Sequence, residues 1–115
     1  MSNSKCEIGQ YGTKRWFKDN YQLLHREDGP AVEYINGSKE WFINGFRHRL
    51  DGPAVEWNSR IHGDDGLKEW FVDGKQCSEQ EFPIVVIMFL LNCDKKAAKL
   101  ILENIRNANF NIEDL

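Results

Sequence analysis

The sequence predicts an α+β fold: an antiparallel β-meander of hairpin repeats followed by two C-terminal α-helices packed on the sheet. Three observations predict it. The segment His25-Arg26-Glu27-Asp28-Gly29-Pro30-Ala31-Val32-Glu33-Tyr34 returns as His48-Arg49-Leu50-Asp51-Gly52-Pro53-Ala54-Val55-Glu56-Trp57. Interleaved with it, a second element occurs at residues 12–17, 37–42 and 66–71, in the form Gly-x-Lys-x-Trp-Phe. Beyond residue 77 the alternating pattern gives way to a continuous apolar run and then to a helical stripe.

The repeat measures 23 residues from Gly29 to Gly52. Residues 31–35 alternate as a half-buried strand does, Asn36-Gly37 supplies a tight turn, and residues 39–43 return. Asn44-Gly45 and Asp73-Gly74 mark the next reversals. Pro30 and Pro53 open their strands, where a missing N–H is tolerated. Turns this short permit only antiparallel neighbours, so the meander is placed at 11–76. Residues 58–65, rich in Gly, Asp and Asn, read as a protruding loop. Period-two counting places Trp16, Val32, Tyr34, Trp41, Ile43, Val55, Trp57, Trp70 and Val72 on a core face. Glu33, Glu40, Glu56, Glu69, Phe17, Phe42 and Phe71 fall on the other.

The helical part is placed at 78–107. Ser78-Glu79-Gln80-Glu81 fits a capping box, with Pro83 in the next turn as an alternative start. Residues 84–91 are apolar all round, which predicts a helix covered on every side. Asp94 caps a second helix to about Arg106, with Ala97, Ala98, Leu100, Ile101 and Ile105 as its apolar stripe. The tail from 107 shows little periodicity.

With 115 residues, 41% hydrophobic and 29% charged, the chain is one folded domain, 1–115. Fifteen basic and eighteen acidic residues leave a net charge of −3 without a block of one sign, so nucleic acid is not an expected partner. No membrane is expected either, since the longest apolar run falls short of the ~20 residues that span a bilayer. The polar start lacks a secretory signal, and Ser2 stands where N-myristoylation needs Gly. Cys6, Cys77 and Cys93, odd in number and far apart, make neither a disulfide framework nor a metal knuckle. A cytoplasmic protein with reduced thiols is the expectation.

The His-Arg-x-Asp-Gly-Pro-Ala and Gly-x-Lys-x-Trp-Phe elements resemble MORN-like hairpin repeats. They look most like the variant repeats of proteins from large DNA phages and giant viruses, and are more distantly similar to those of a bacterial antitoxin family. The resemblance covers about residues 12–75 and carries no catalytic position across. It implies a non-catalytic interaction scaffold and, for a viral source, an inhibitor or adaptor acting on a host protein in the host cytoplasm.

The residues themselves yield no enzyme. His25 and His48 sit in equivalent places two strand spacings apart, roughly 9–10 Å, too far to serve one phosphate. They read as structural, with Asp28 and Asp51 accepting backbone N–H bonds in the turns. His62 is alone, and Asp64-Asp65 lacks the spaced ligands of a calcium loop. No Walker loop, nucleophile elbow, HExxH or dinucleotide fingerprint occurs. No cofactor and no metal are expected. Tryptophans beside Val and Ile read as core. Phe17, Phe42 and Phe71, with charged neighbours, read as a protein-contact row rimmed by Arg26, Arg47 and Arg49.

A non-catalytic protein-interaction module is therefore the leading expectation. The alternative is a nucleotide- or sugar-binding protein using a pocket between sheet and helices or between subunits. The all-round apolar helix adds an expected homodimer through the helical part, unless Phe110, Ile112 and Leu115 fold back over it.

Overall fold

Ten short strands and two helices follow one another in the computed structural model, which describes residues 4–18, 22–58 and 66–113, with side chains through 108. The strands are β1 (Ser4–Ile8), β2 (Lys14–Lys18), β3 (Leu23–Leu24), β4 (Val32–Glu33), β5 (Lys39–Glu40), β6 (Phe42–Ile43), β7 (Phe46–Arg47), β8 (Val55–Glu56), β9 (Lys68–Val72) and β10 (Lys75–Cys77). Helices α1 (Phe82–Leu91) and α2 (Lys95–Glu113) complete the chain. Two compact units result, Met1–Gln76 and Cys77–Leu115. The predicted loop with His62 and Asp64-Asp65, and the side chains of Phe110, Ile112 and Leu115, lie outside the described residues.

The antiparallel meander followed by helices is what the repeat predicts. The main sheet runs β1-β2-β4-β5-β8-β9-β10, with β3 also on β2, and β6-β7 form a separate two-stranded ribbon. One strand is new. β1 pairs with β2 over five residues, from Ser4↔Lys18 to Ile8↔Lys14, so the sheet begins well before residue 11.

Two kinds of turn alternate. Asn44-Gly45 (φ 50° and 84°) and Asp73-Gly74 (φ 53° and 80°) put both central residues in the left-handed region, the two-residue hairpin that Asn-Gly and Asp-Gly favour. At the other end the loops are one residue longer than predicted. Tyr34 N–H donates to Ser38 O, Gly37 N–H donates to Tyr34 O, and only Gly37 is left-handed. Gly12 closes the β1–β2 turn in the same way.

Register corrects the predicted faces. Val32 pairs with Glu40, Glu40 with Val55 and Val55 with Glu69, so these side chains share one face. The opposite row reads Lys14, Glu33, Lys39, Glu56, Lys68, alternating in charge from strand to strand. Each such opposite-charge neighbour stabilises the sheet by about 0.2–1 kcal/mol. Counting by two within a strand fails because the longer loops reset the phase and the chain leaves the main sheet at Trp41. Successive residues are buried at Ala31-Val32, Ala54-Val55 and Phe71-Val72, so the chain is covered on both sides there. The core holds Ala54, Val55 and Phe71, with Trp41 and Trp57 packed against it, and all four indoles are only half-buried.

In the helical unit, Ser78 Oγ accepts the Glu81 N–H at 3.1 Å, which is one half of the predicted capping box, and its hydroxyl, not its backbone N–H, donates to Glu81 Oε1. That bond closes a turn, and α1 itself starts at Phe82 with Pro83 tolerated in its first turn. Asn92, left-handed at φ 51°, ends α1, and Asp94 Oδ1 accepts the Ala97 N–H at 2.8 Å to begin α2. Two expectations are corrected. No residue of α1 is fully buried, and Phe89, Leu90 and Leu91 are exposed. α2 continues past Arg106 to Glu113, since no Gly or Pro interrupts it, and its buried side is Ala98 while Leu100 and Ile105 are exposed.

Candidate functional site

The two His-Arg motifs build the same cage twice. Arg26 lies over the Trp16 ring at 4.0 Å and Arg49 over Trp41 at 3.8 Å. Arg26 Nε donates to Asp28 and its Nη1 to the Pro30 carbonyl and Glu33; Arg49 repeats this with Asp51, the Pro53 carbonyl and Glu56. The motif thus records one guanidinium and its partners: a stacking indole, a turn carboxylate, a carbonyl and a strand carboxylate. The Arg26 guanidinium holds the exposed Asp28 carboxyl below its usual range.

Each imidazole serves the next hairpin. His25 Nδ1 accepts the Asn44 N–H at 2.9 Å, and His48 Nδ1 accepts the Asp73 N–H at 2.8 Å. Both donors begin left-handed turns. A ring that accepts at Nδ1 must be neutral there. Burial lowers the His48 pKa below its ordinary 6.5, against the opposing Asp73 carboxylate. Unfolded chains then take up the proton first, so the stability supplied by neutral His48 is full above pH ~6.5 and is lost as pH falls below it. We expect His48→Gln to cost about 1 kcal/mol at pH 7.5. Urea unfolding at pH 7.5 and 5.0 should show the variant losing less stability on acidification than the wild type.

A second repeated node was not anticipated. Glu40, only 4% exposed, accepts from Arg47 Nε and Nη2 at 3.0 and 2.9 Å and from the Tyr34 hydroxyl at 2.5 Å. Burial and the bond to Glu40 push the Tyr34 pKa up to about 12. One repeat on, Glu69 accepts from Trp57 Nε1 and Gln76 Nε2. The signal in the sequence is Glu before Trp-Phe in two of the three copies.

These contacts settle where the predicted contact row lies. Phe71 is 8% exposed in the core, and Phe17 and Phe42 are half-buried. Arg26, Arg47 and Arg49 all bond carboxylates of their own chain, and Arg47 also lies 5.4 Å from the Phe71 ring. The expected exposed aromatic row is therefore not formed: Phe71 is buried, Phe17 and Phe42 are half-buried, and Arg47 lies over the Phe42 and Phe71 rings. Exposed apolar side chains occur elsewhere, laid over turn glycines. Ile35 covers Gly12, Leu23 covers Gly45 and Phe46 covers Gly74, and the three are 81%, 45% and 57% exposed.

Between the two motif loops runs a groove of about 700 Å³. Residues 26–30 line it from one motif, residues 48–51 from the next, together with Trp41 and Ile43. Among the described residues no three His, Cys, Asp or Glu side chains converge to hold a metal ion. No described helix is long and apolar enough to cross a membrane. Compared with known proteins, the chain matches no family model, no curated protein and no solved structure.

Proposed function

We propose that this chain is a non-catalytic protein-interaction module of the MORN-like hairpin-repeat type, working in the cytoplasm with its thiols reduced. The observation that carries the reading is the pair of apolar side chains, Leu23 and Phe46, seated over the turn glycines Gly45 and Gly74 at one end of the hairpins. Both are exposed, as is Ile35 over Gly12 at the opposite end, and such exposed groups rimmed by charge characterise protein-contact surfaces. The groups that would serve catalysis are engaged in the frame itself. His25 and His48 repeat one structural bond, as do Arg26 and Arg49. The exposed Phe89, Leu90 and Leu91 support pairing of two copies through the helical unit as part of the same reading.

A photo-crosslinking residue at position 46 tests the proposal. Crosslinking to one discrete protein, abolished by Leu23→Ser with the melting temperature unchanged, is the expected result. A small-ligand reading has the groove in its favour. Its mark would be stabilisation by several degrees from a nucleotide or sugar, with no protein crosslinked.

A further inference from the structure

We propose that the groove between the two His-Arg motifs seats a basic side chain, lysine or arginine, from an extended segment of the protein partner. This rests on the interaction reading above and names the partner's chemistry. A volume of about 700 Å³ is in the range that holds one or two long side chains. Its lining is net acidic. Glu27, Asp28 and Asp51 set three carboxylates against the guanidiniums of Arg26 and Arg49.

The arginines are not offered to a ligand. Their side chains are 21% and 20% exposed, stacked on indoles and bonded to carboxylates and carbonyls. Glu27, Asp28 and Asp51 are the outward groups, with side chains 64%, 70% and 86% exposed. An anionic ligand would meet these carboxylates first, whereas an ammonium or guanidinium would complement them.

The third position of the motif, which no repeated contact constrains, lies in the groove in both copies. It is Glu27 in one and Leu50 in the other. One supplies charge for the head of a basic side chain and the other, with Ile43 and Pro30 in the same lining, apolar surface for its methylene stem. The two cages are alike in every bonded part and differ at the place a ligand would reach.

The test is a ¹⁵N NMR titration of the full chain with a capped hexapeptide of alternating Arg and Lys, beside its all-Glu counterpart. Backbone amides of residues 27–29 and 49–52 should shift with the basic peptide alone. Glu27→Gln with Asp51→Asn should weaken binding about tenfold, with the melting temperature held because Asn keeps an acceptor for Arg49. Glu103→Gln, which removes an exposed charge from α2, should leave the affinity within about twofold. Absent or scattered shifts would overturn the proposal, as would equal weakening by Glu103→Gln. The two readings separate cleanly. If a protein crosslinked through position 46 binds the double variant as well as the wild type, the interaction module stands and the groove assignment falls. If the peptide occupies the groove while position 46 crosslinks nothing, Leu23 and Phe46 are not the contact surface.

Discussion

Phe71→Ala should lower stability by about 3–4 kcal/mol, the cost of removing a buried phenyl ring from a core that cannot collapse around it. Phe71 packs with Ala54 and Val55, neither of which can extend to fill the space, and Trp41 and Trp57 lean on the same cluster. Two half-buried indoles would lose their support together with the ring. A fold this size has roughly 5–15 kcal/mol in total, so the loss is a large fraction of it. The denaturant midpoint should fall sharply with little change in slope. Phe42→Ala, at a half-buried position, should cost less than half as much. Equal, small effects from the two would show that Phe71 lies at the surface.

Glu40→Ala should cost about 2–4 kcal/mol, for a different reason. Glu40 is buried and accepts from three donors, so its removal leaves Arg47 and Tyr34 without their acceptor. Breaking a fully buried ion pair costs about 3–5 kcal/mol. Arg47 is 41% exposed, so water recovers part of that. Glu40→Gln should retain more stability, because an amide oxygen still accepts from the tyrosine and from one arginine N–H. Equilibrium unfolding of both variants beside Arg47→Ala gives the coupling directly: the double variant Glu40→Ala/Arg47→Ala should lose less than the sum of the two single losses.

What could be read from the sequence was what a local rule decides. Asn44-Gly45 and Asp73-Gly74 announce left-handed turns because few other pairs tolerate that backbone. The structural role of His25 and His48 followed from their repetition, and their bonds to the next turn give it a mechanism. Asp94 as a helix cap was legible on the same grounds, whereas Ser78 and Glu81 form only one bond of the expected box, in a turn ahead of the helix. What depended on neighbours distant in the chain was not. β1 (SKCEI) carries no apolar alternation, because an edge strand exposed along its length needs none. Glu40 counted as a surface residue until register placed it between Val32 and Val55. Phe71 entered the core expected of the indoles, while Trp41 packs against that core only half-buried, with Arg49 laid over its ring. The proposed contact surface moves accordingly, from the phenylalanines to the side chains seated on turn glycines, which no period describes.

The bond from each imidazole to the following turn has a consequence for how such a chain can grow. Every unit completes its own cage and reaches only one unit ahead, so the energetics are those of a row of dominoes with nearest-neighbour coupling. Inserting one more 23-residue segment between Gly29 and Gly52 would create one new cage and one new forward bond. Nothing already in place would have to change. Duplication within the gene could therefore lengthen the frame, and with it the number of grooves, in single steps. The series stops where the forward reach is lost. At the position after Asp73-Gly74 that matches His48 stands Cys77, with Ser78 in place of the arginine, and the chain turns to helix instead of to a further hairpin.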